Sequence, residues 1–193
     1  MPTKSAFSIV GLAHKVCLAA EEQGYTPELL NRLAEHPTLL GDLRKVQLGF
    51  SEINPILHAI DCDADPFIPS GWSVEEHRKS GIFTWDSTMV KLYLSKKQKG
   101  DKYIAGNDLR KELARQPVLN ANVLDYLLKT ENQRLIPEEW KGKAVFFWGT
   151  IYRNSAVNLF VRYLYWNGDR LDWDYCWLDL DFYSIGPAVV RAS

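Results

Sequence analysis

From Leu171 to Leu178 the chain reads Leu-Asp-Trp-Asp-Tyr-Cys-Trp-Leu. Leu, Trp, Tyr and Trp share one parity, and Asp, Asp, Cys and Leu the other. Only a pleated strand sorts side chains with a period of two, so this stretch has to be sheet with an aromatic face. The surroundings share the bias, since residues 144–183 hold 13 of the 24 aromatic side chains. Strands are expected near 144–152, 159–166 and 170–178, after Gly142. Asn167-Gly168 is the favoured hairpin turn, because both central positions of a type I′ turn need positive φ. Closing there pairs Trp166 with Asp169 and sets Arg162 opposite Trp173. A three-residue loop would instead set Tyr163 against Trp173 and Arg162 against Asp174, and a one-residue slip exchanges the faces.

Upstream, the periodicity is helical. Three helices are expected over residues 6–53. The first runs from Ala6 to about Gln23 and stops at Gly24. The second is capped by Thr26 ahead of Pro27, with Leu29, Leu30 and Leu33 inward. The third starts at Thr38, carries Leu39, Leu43, Val46 and Phe50, and is closed by Asn54-Pro55. Pro55, Pro66, Pro69 and Gly71 make residues 54–72 a connector. The expected organisation is α+β: a helical unit over 1–57, then an α+β unit over 58–193 ending in an antiparallel, aromatic β-meander, with one continuous domain as the alternative. Within the second unit, Ser73-Val74-Glu75-Glu76 reads as a capping box, and residues 88–95 lean to helix. Asn107 is expected to cap a helix to Arg115, Asn120 another to about Glu131, and Pro137–Trp140 adds a helical turn.

Composition narrows the setting. A net charge of −1 gives no global pull toward nucleic acid or anionic lipid. No apolar run reaches the ~20 residues of a membrane-spanning helix, and the first residues lack a signal-peptide pattern. Cys17, Cys62 and Cys176 are odd in number and far apart, so reduced thiols and a cytoplasmic location are expected. The charge is segregated: residues 52–76 hold six acids and no Lys or Arg, and residues 91–115 hold eight bases against three acids. Mutual attraction within the fold is the default reading of that asymmetry.

Candidate chemistry is sparse. Asp61, Asp63 and Asp65 alternate in extended chain and are the weak metal candidates. The stretch opens like an EF-hand loop but has Pro66 where glycine is needed and Trp72 where glutamate is needed. Asp172 and Asp174 share a strand face about 7 Å apart, the basis of a hydrolase alternative. Cys17 beside His14 sits in an apolar stretch that favours an inert thiol. No phosphate loop, nucleophile elbow or CxxC pair occurs, so no catalytic residue and no cofactor is assigned. The order helix, turn, helix, hairpin over 107–178 resembles a winged helix, with Asn120, Asn122 and Lys129 as base readers and Lys91–Lys102 gripping phosphates.

Thirteen rings exceed what one small sheet face needs to bury. Tyr163, Tyr165, Phe182 and Tyr183 are therefore expected to stay accessible and, with Lys96, Lys97 and Lys99, to form a binding surface. The expectation is a non-enzymatic macromolecular binding protein whose partner is another protein. Nucleic acid is the alternative partner, and no membrane partner is expected.

Three segments carry a resemblance: Asp65-Pro66-Phe67-Ile68-Pro69-Ser70-Gly71-Trp72, residues 118–128 (Val-Leu-Asn-Ala-Asn-Val-Leu-Asp-Tyr-Leu-Leu), and residues 136–153 (Ile-Pro-Glu-Glu-Trp-Lys-Gly-Lys-Ala-Val-Phe-Phe-Trp-Gly-Thr-Ile-Tyr-Arg). They resemble a family of bacterial proteins of unassigned function, over roughly residues 58–193. The resemblance implies no activity, ligand or site residue. The family pattern has an Asp-Gly turn after the first strand; here Asn154–Asn158 stands in its place, so a longer or irregular turn is expected.

Overall fold

The computed structural model describes residues 9–35, 37–52, 57–100 and 102–192. Two compact units divide the chain, Met1–Ile56 and Leu57–Ser193. No helix among the described residues is long and apolar enough to cross a membrane.

The first unit holds α1 (Ile9–Glu22), α2 (Pro27–Ala34) and α3 (Pro37–Gln47). Two glycines end helices by the same device. Gly24 takes φ +79°, with Gly24 N donating to Glu21 O and Tyr25 N to Ala20 O. Gly49 takes φ +75°, with Gly49 N donating to Val46 O and Phe50 N to Lys45 O. Both are Schellman closures, in which a left-handed residue satisfies the last carbonyls. Gly49 therefore stops α3 earlier than expected and leaves Phe50 outside it. At the start of α2, Leu29 N donates to Thr26 Oγ1 at 3.4 Å. Ala6 to Ser8, the Leu33 side chain and Asn54-Pro55 lie outside the described residues.

The second unit is α+β. Its elements are β1 (Ala59–Asp61), β2 (Ser73–His77), β3 (Ile82–Thr84), β4 (Val90–Tyr93), β5 (Ile104–Ala105), α4 (Gly106–Leu113), α5 (Ala121–Leu128), β6 (Val145–Arg153), β7 (Leu159–Asn167), β8 (Arg170–Trp177), β9 (Asp181–Phe182) and β10 (Ala188–Arg191). The main sheet runs β4-β10-β6-β7-β8, and β2 also pairs with β6. Every pairing in it is antiparallel except β10 with β6.

Two segments expected as helix are strands. Residues 73–77 pair with the second half of β6, where Val74 lies opposite Tyr152. Glu75 and Glu76, the capping-box acids, instead meet Arg153 and Arg110, each at 2.5 Å. Val90–Tyr93 pairs with β10, and a β-branched and aromatic run next to an open edge follows the sheet. The helix expected after Asn107 starts two residues early, with Ala105 in place of Asn107 as cap, and the Asn107 amide donates to Asp179 Oδ1 at 2.7 Å. Asn120 does cap α5, accepting from Asn122 N, although the helix ends at Leu128 and a 3-10 segment, Thr130–Leu135, follows.

The last hairpin takes neither expected register. Asn167 pairs with Arg170, so Gly168 and Asp169 make the turn, with φ +63° at Gly168. Arg162 lies opposite Tyr175 and Leu164 opposite Trp173. The shift is two residues from the Asn-Gly closure, and an even shift preserves the faces. Phe160, Arg162, Leu164, Trp166, Leu171, Trp173, Tyr175 and Trp177 share one side as expected.

Both faces of the sheet are covered. On one, Val145, Phe147, Leu164 and Val189 pack with α5, with Ile60, Phe83 and Trp85 of the β1–β3 region, and with Trp140. On the other, Phe146, Trp148, Val161 and Val190 pack with Leu109 and Leu113 of α4 and with Phe182. Three extra residues bulge β6 between Phe146 and Ile151, where β7 advances only from Tyr163 to Val161. An odd insertion exchanges faces, so Ile151 joins Phe146 and Tyr152 turns to the opposite side. Gly149 sits in the bulge, where a Cβ would lie 2.8 Å from Asn120 Cα and N. That close approach lets Asn120 cap α5 and donate to Cys62 O and Arg78 O.

Tyr152 thereby reaches Arg162, the one fully buried cation in the sheet among the described residues, at 1% exposure. Arg162 Nη1 stands 2.8 Å from Asp125 Oδ1 as an ion pair without hydrogen-bond alignment. The guanidinium carbon is 4.2 Å from the Trp173 ring centre and 5.7 Å from that of Phe67. Burial pushes the Asp125 carboxyl up, and the Arg162 charge opposes the rise. Removing one partner of such a pair leaves the other charge unmatched. Asp125→Ala should therefore cost about 3 kcal/mol in urea unfolding, the low end of that range because Asp125 is 34% exposed. Adding Arg162→Met should restore most of the loss; equal destabilisation in both variants would show the ion pair is not responsible.

The outer edge of β8 is unpaired among the described residues, and two aspartates cover part of it. Asp172 Oδ1 accepts from Trp173 N at 2.9 Å, and Asp174 Oδ1 from Tyr175 N at 2.7 Å. These are the N–H groups that face away from β7, and open edge donors recruit other strands. The double variant Asp172→Ala, Asp174→Ala should associate at lower concentration than the parent chain in light scattering; an unchanged profile would mean the carboxylates do not guard the edge.

Candidate functional site

The meander and the chain that follows it enclose a groove of about 300 Å³. It is lined by Phe146, Tyr163 and Cys176 from the sheet and by Leu180, Phe182, Tyr183 and Ile185 from the chain after it. Strand pairing builds the floor. Phe146 lies opposite Tyr163, with ring centres 4.8 Å apart, and Tyr165 follows Tyr163 at 5.6 Å. Phe182 is wedged beneath, 5.0 Å from Phe146 and 5.1 Å from Trp148. The rim stays open: Tyr183 is 51% and Ile185 66% exposed, and Leu180 is also exposed.

Tyr183 continues the surface toward the loop, its ring 5.7 Å from that of exposed Tyr103. A second hollow, lined by Lys96, Lys97, Lys102 and Tyr103, opens there. One buried amide joins the two. Gln98 Nε2 donates to Tyr183 O at 3.0 Å and to Gly186 O at 3.2 Å, and its Oε1 accepts from Ser95 N at 3.1 Å. Ser95 Oγ in turn donates to Glu112 Oε2, while Lys97 N donates to Ser95 Oγ. Tyr93 donates to Glu112 Oε1 at 2.5 Å, and this bond pushes its phenol up to about 12. The lysine loop is thus a capped 3-10 turn, Lys96–Gln98, rather than free coil.

Of the expected binding residues, Tyr163 and Tyr183 line the groove and Lys96 and Lys97 line the hollow. Tyr165 flanks Tyr163 without lining the groove, and Lys99 is exposed beyond the hollow. Phe182 is a correction: at 3% exposure it is core, because the backbone between Leu178 and Leu180 docks on α4 and turns its ring inward. Leu180, Ile185 and Gln98 were not anticipated. They sit outside any alternating run, so periodicity carries no sign of them.

The other candidates resolve into structure. Asp61 Oδ1 accepts from Asp63 N and Ala64 N, and Asp63 Oδ1 from Gly81 N, so these two carboxylates shape the loop, while Asp65 is exposed. Among the described residues no group of three or more His, Cys, Asp or Glu is placed to hold a metal ion. In the supposed recognition helix Val123, Leu124 and Leu127 are buried, and Asn122 donates to Asp61 O and Ala64 O. Its apolar side faces the core, and the Asn120 and Asn122 amides are spent on backbone carbonyls of the neighbouring loops. Asp172 and Asp174 are tied to the β8 backbone, and Arg170 and the Trp173 N–H hold Asp172 below the usual carboxylate range. His77 Nε2 donates to Cys62 O, and its Nδ1 lies 2.9 Å from Thr150 Oγ1, which makes the ring a brace between β2 and β6.

The chain matches no protein-family model, no curated protein and no solved structure.

Within the groove, burial pushes the Cys176 thiol up to about 11, with the Asp174 charge adding to the effect. The folded state therefore prefers the protonated thiol: that contribution is present below the ordinary value of 9.0 and lost as pH rises through about 11. Since only the thiolate alkylates, labelling of Cys176 in a Cys17→Ser background should rise about tenfold per pH unit until near that value. A plateau below pH 9 would refute the shift.

Proposed function

We propose that the chain is a non-enzymatic interaction protein that binds another protein through this groove and the adjoining lysine turn. The observation behind the reading is the set of exposed apolar side chains, Leu180, Tyr183, Ile185 and Tyr103, gathered on one side next to a cationic hollow. Exposed apolar surface rimmed by polar groups is what partner sites look like, and aromatic anchors supply most of the energy in such contacts. A cytoplasmic setting goes with it, since Cys17, Cys62 and Cys176 are all free thiols.

The acids around the groove favour a protein over nucleic acid. Asp181 lines it, and Asp174 is near enough to raise Tyr163 and Cys176, so a phosphate backbone laid along the surface would meet repulsion.

The test is a cross-linking pull-down from host extract with the parent chain and with Tyr183→Ser, Ile185→Asp, whose side chains are exposed enough for folding to survive. A protein captured by the parent and lost by the variant, with thermal melts unchanged, is the expected result. Equal capture by both, or capture of nucleic acid sensitive to nuclease, would refute the reading.

A further inference from the structure

Resting on that reading, the geometry points to the chemistry of the bound segment: a short peptide stretch with one large apolar anchor in the groove and, on the side away from Asp181 only, acidic residues that reach the lysine turn. Three observations converge on it.

The first is size. A groove of about 300 Å³ lies at the bottom of the range for ligand pockets and takes one large side chain with its neighbours, not the face of a folded domain. Apart from Asp181 and Cys176 its side-chain lining is aromatic and aliphatic, with Phe146 and Tyr163 on the floor and Ile185 at the rim, so the anchor is apolar.

The second is the distribution of charge. The acidic segment is largely used up internally: Glu76 pairs with Arg110, Glu75 with Arg153, and Asp61 and Asp63 hold backbone N–H groups. Arg110 and Lys111 are likewise engaged, the latter by Asp108. Among the described residues, Lys96, Lys97, Lys99 and Lys102 form no ion pair, and all four are exposed. Exposed Lys79, Arg115 and Arg134 form none either, and the Lys97 charge also acts on Asp108, but residues 96–102 bring four such lysines together on the side of the groove reached through Tyr103. Opposite-charge complementarity of this kind fixes which way round a segment lies and speeds encounter.

The third is that groove and lysines form one rigid frame. Gln98 is buried and donates to both carbonyls that flank the groove wall, Tyr183 O and Gly186 O, while belonging to the lysine turn itself. Gln98 is thus a positioning residue that sets the distance between the anchor site and the charges. A loop meant only to be solvated would not need its turn tied to the groove wall by a buried amide. Binding to a preformed frame avoids the ordering cost that a free loop would carry.

The experiment is a random-peptide phage selection on the full chain, followed by fluorescence anisotropy with the selected synthetic peptide. Enrichment of an aromatic or branched apolar residue beside Glu or Asp is expected. Affinity should fall about tenfold in Lys96→Glu, Lys97→Glu, and also when the peptide's acids become Gln or Asn, and it should weaken with salt. Both lysines are exposed, so the fold should tolerate the change. Peptides that need the groove, and so fail on Tyr183→Ser, Ile185→Asp, yet ignore the lysines and salt would overturn this inference and leave the wider reading standing. Peptides indifferent to both variants, or none selected, would overturn both. A single-stranded oligonucleotide that binds more tightly than any peptide and loses affinity in the lysine variant would assign the lysines to nucleic acid instead.

Discussion

The second unit is organised around a charge it cannot leave in water. Arg162 sits in the middle of β7 with its guanidinium against Trp173, and among the described residues only Asp125 answers it with a formal charge. A buried guanidinium without compensation costs several kcal/mol, so α5, which supplies Asp125, is obliged to lie across this part of the sheet. Aromatic faces add attraction at close range, and Phe67, Trp173 and Tyr175 surround the cation. Trp72 then closes over Phe160 and Tyr175, both 4.7 Å away. The division between the two units falls inside the proline-rich connector, at Ile56 and Leu57, and its later part, with Phe67 and Trp72, covers the sheet.

That arrangement decides which rings stay free. The face bearing Arg162 uses its aromatics to enclose the cation, and the β6 bulge sends Tyr152 there as well. The opposite face keeps Phe146, Tyr163 and Tyr165, and α4 with β9 covers only part of it. Gly106 permits the cover to come close, since a Cβ there would lie 2.5 Å from the Phe182 ring. The uncovered remainder is the groove. A surface left open by one face's need to bury a cation is a different thing from surplus hydrophobicity, although both expose rings.

Legibility followed the period. The strands of the meander, their shared face and the Asn120 cap all rest on local rules that tertiary packing did not overrule. The capping box at Ser73 was overruled because β6 offers an unpaired edge, and pairing there places both of its glutamates on arginines. Hairpin register was missed by two residues because Asn167 pairs instead of turning, while Gly168 alone supplies the positive φ. For the candidate site, Tyr163, Tyr183, Lys96 and Lys97 could be named from ring density and charge. Gln98 could not: an isolated glutamine between lysines reads as solvent-facing, and its two acceptors lie 85 and 88 residues away in the chain.

The charge asymmetry shows most sharply where sequence reasoning gives way to structure. Attraction between the acidic stretch 52–76 and the basic stretch 91–115 was the default expectation, and Glu76 with Arg110 meets it. Arg110 belongs to α4, however, and Lys96 and Lys97 belong to a turn capped by Ser95 and Gln98. Nothing in the turn's own stability requires those lysines to find acids. Like charges held near one another repel, and Asp108 offsets Lys97 only in part. A ligand of opposite charge would relieve that repulsion, which is the physical reason to test for a partner on that side of the groove.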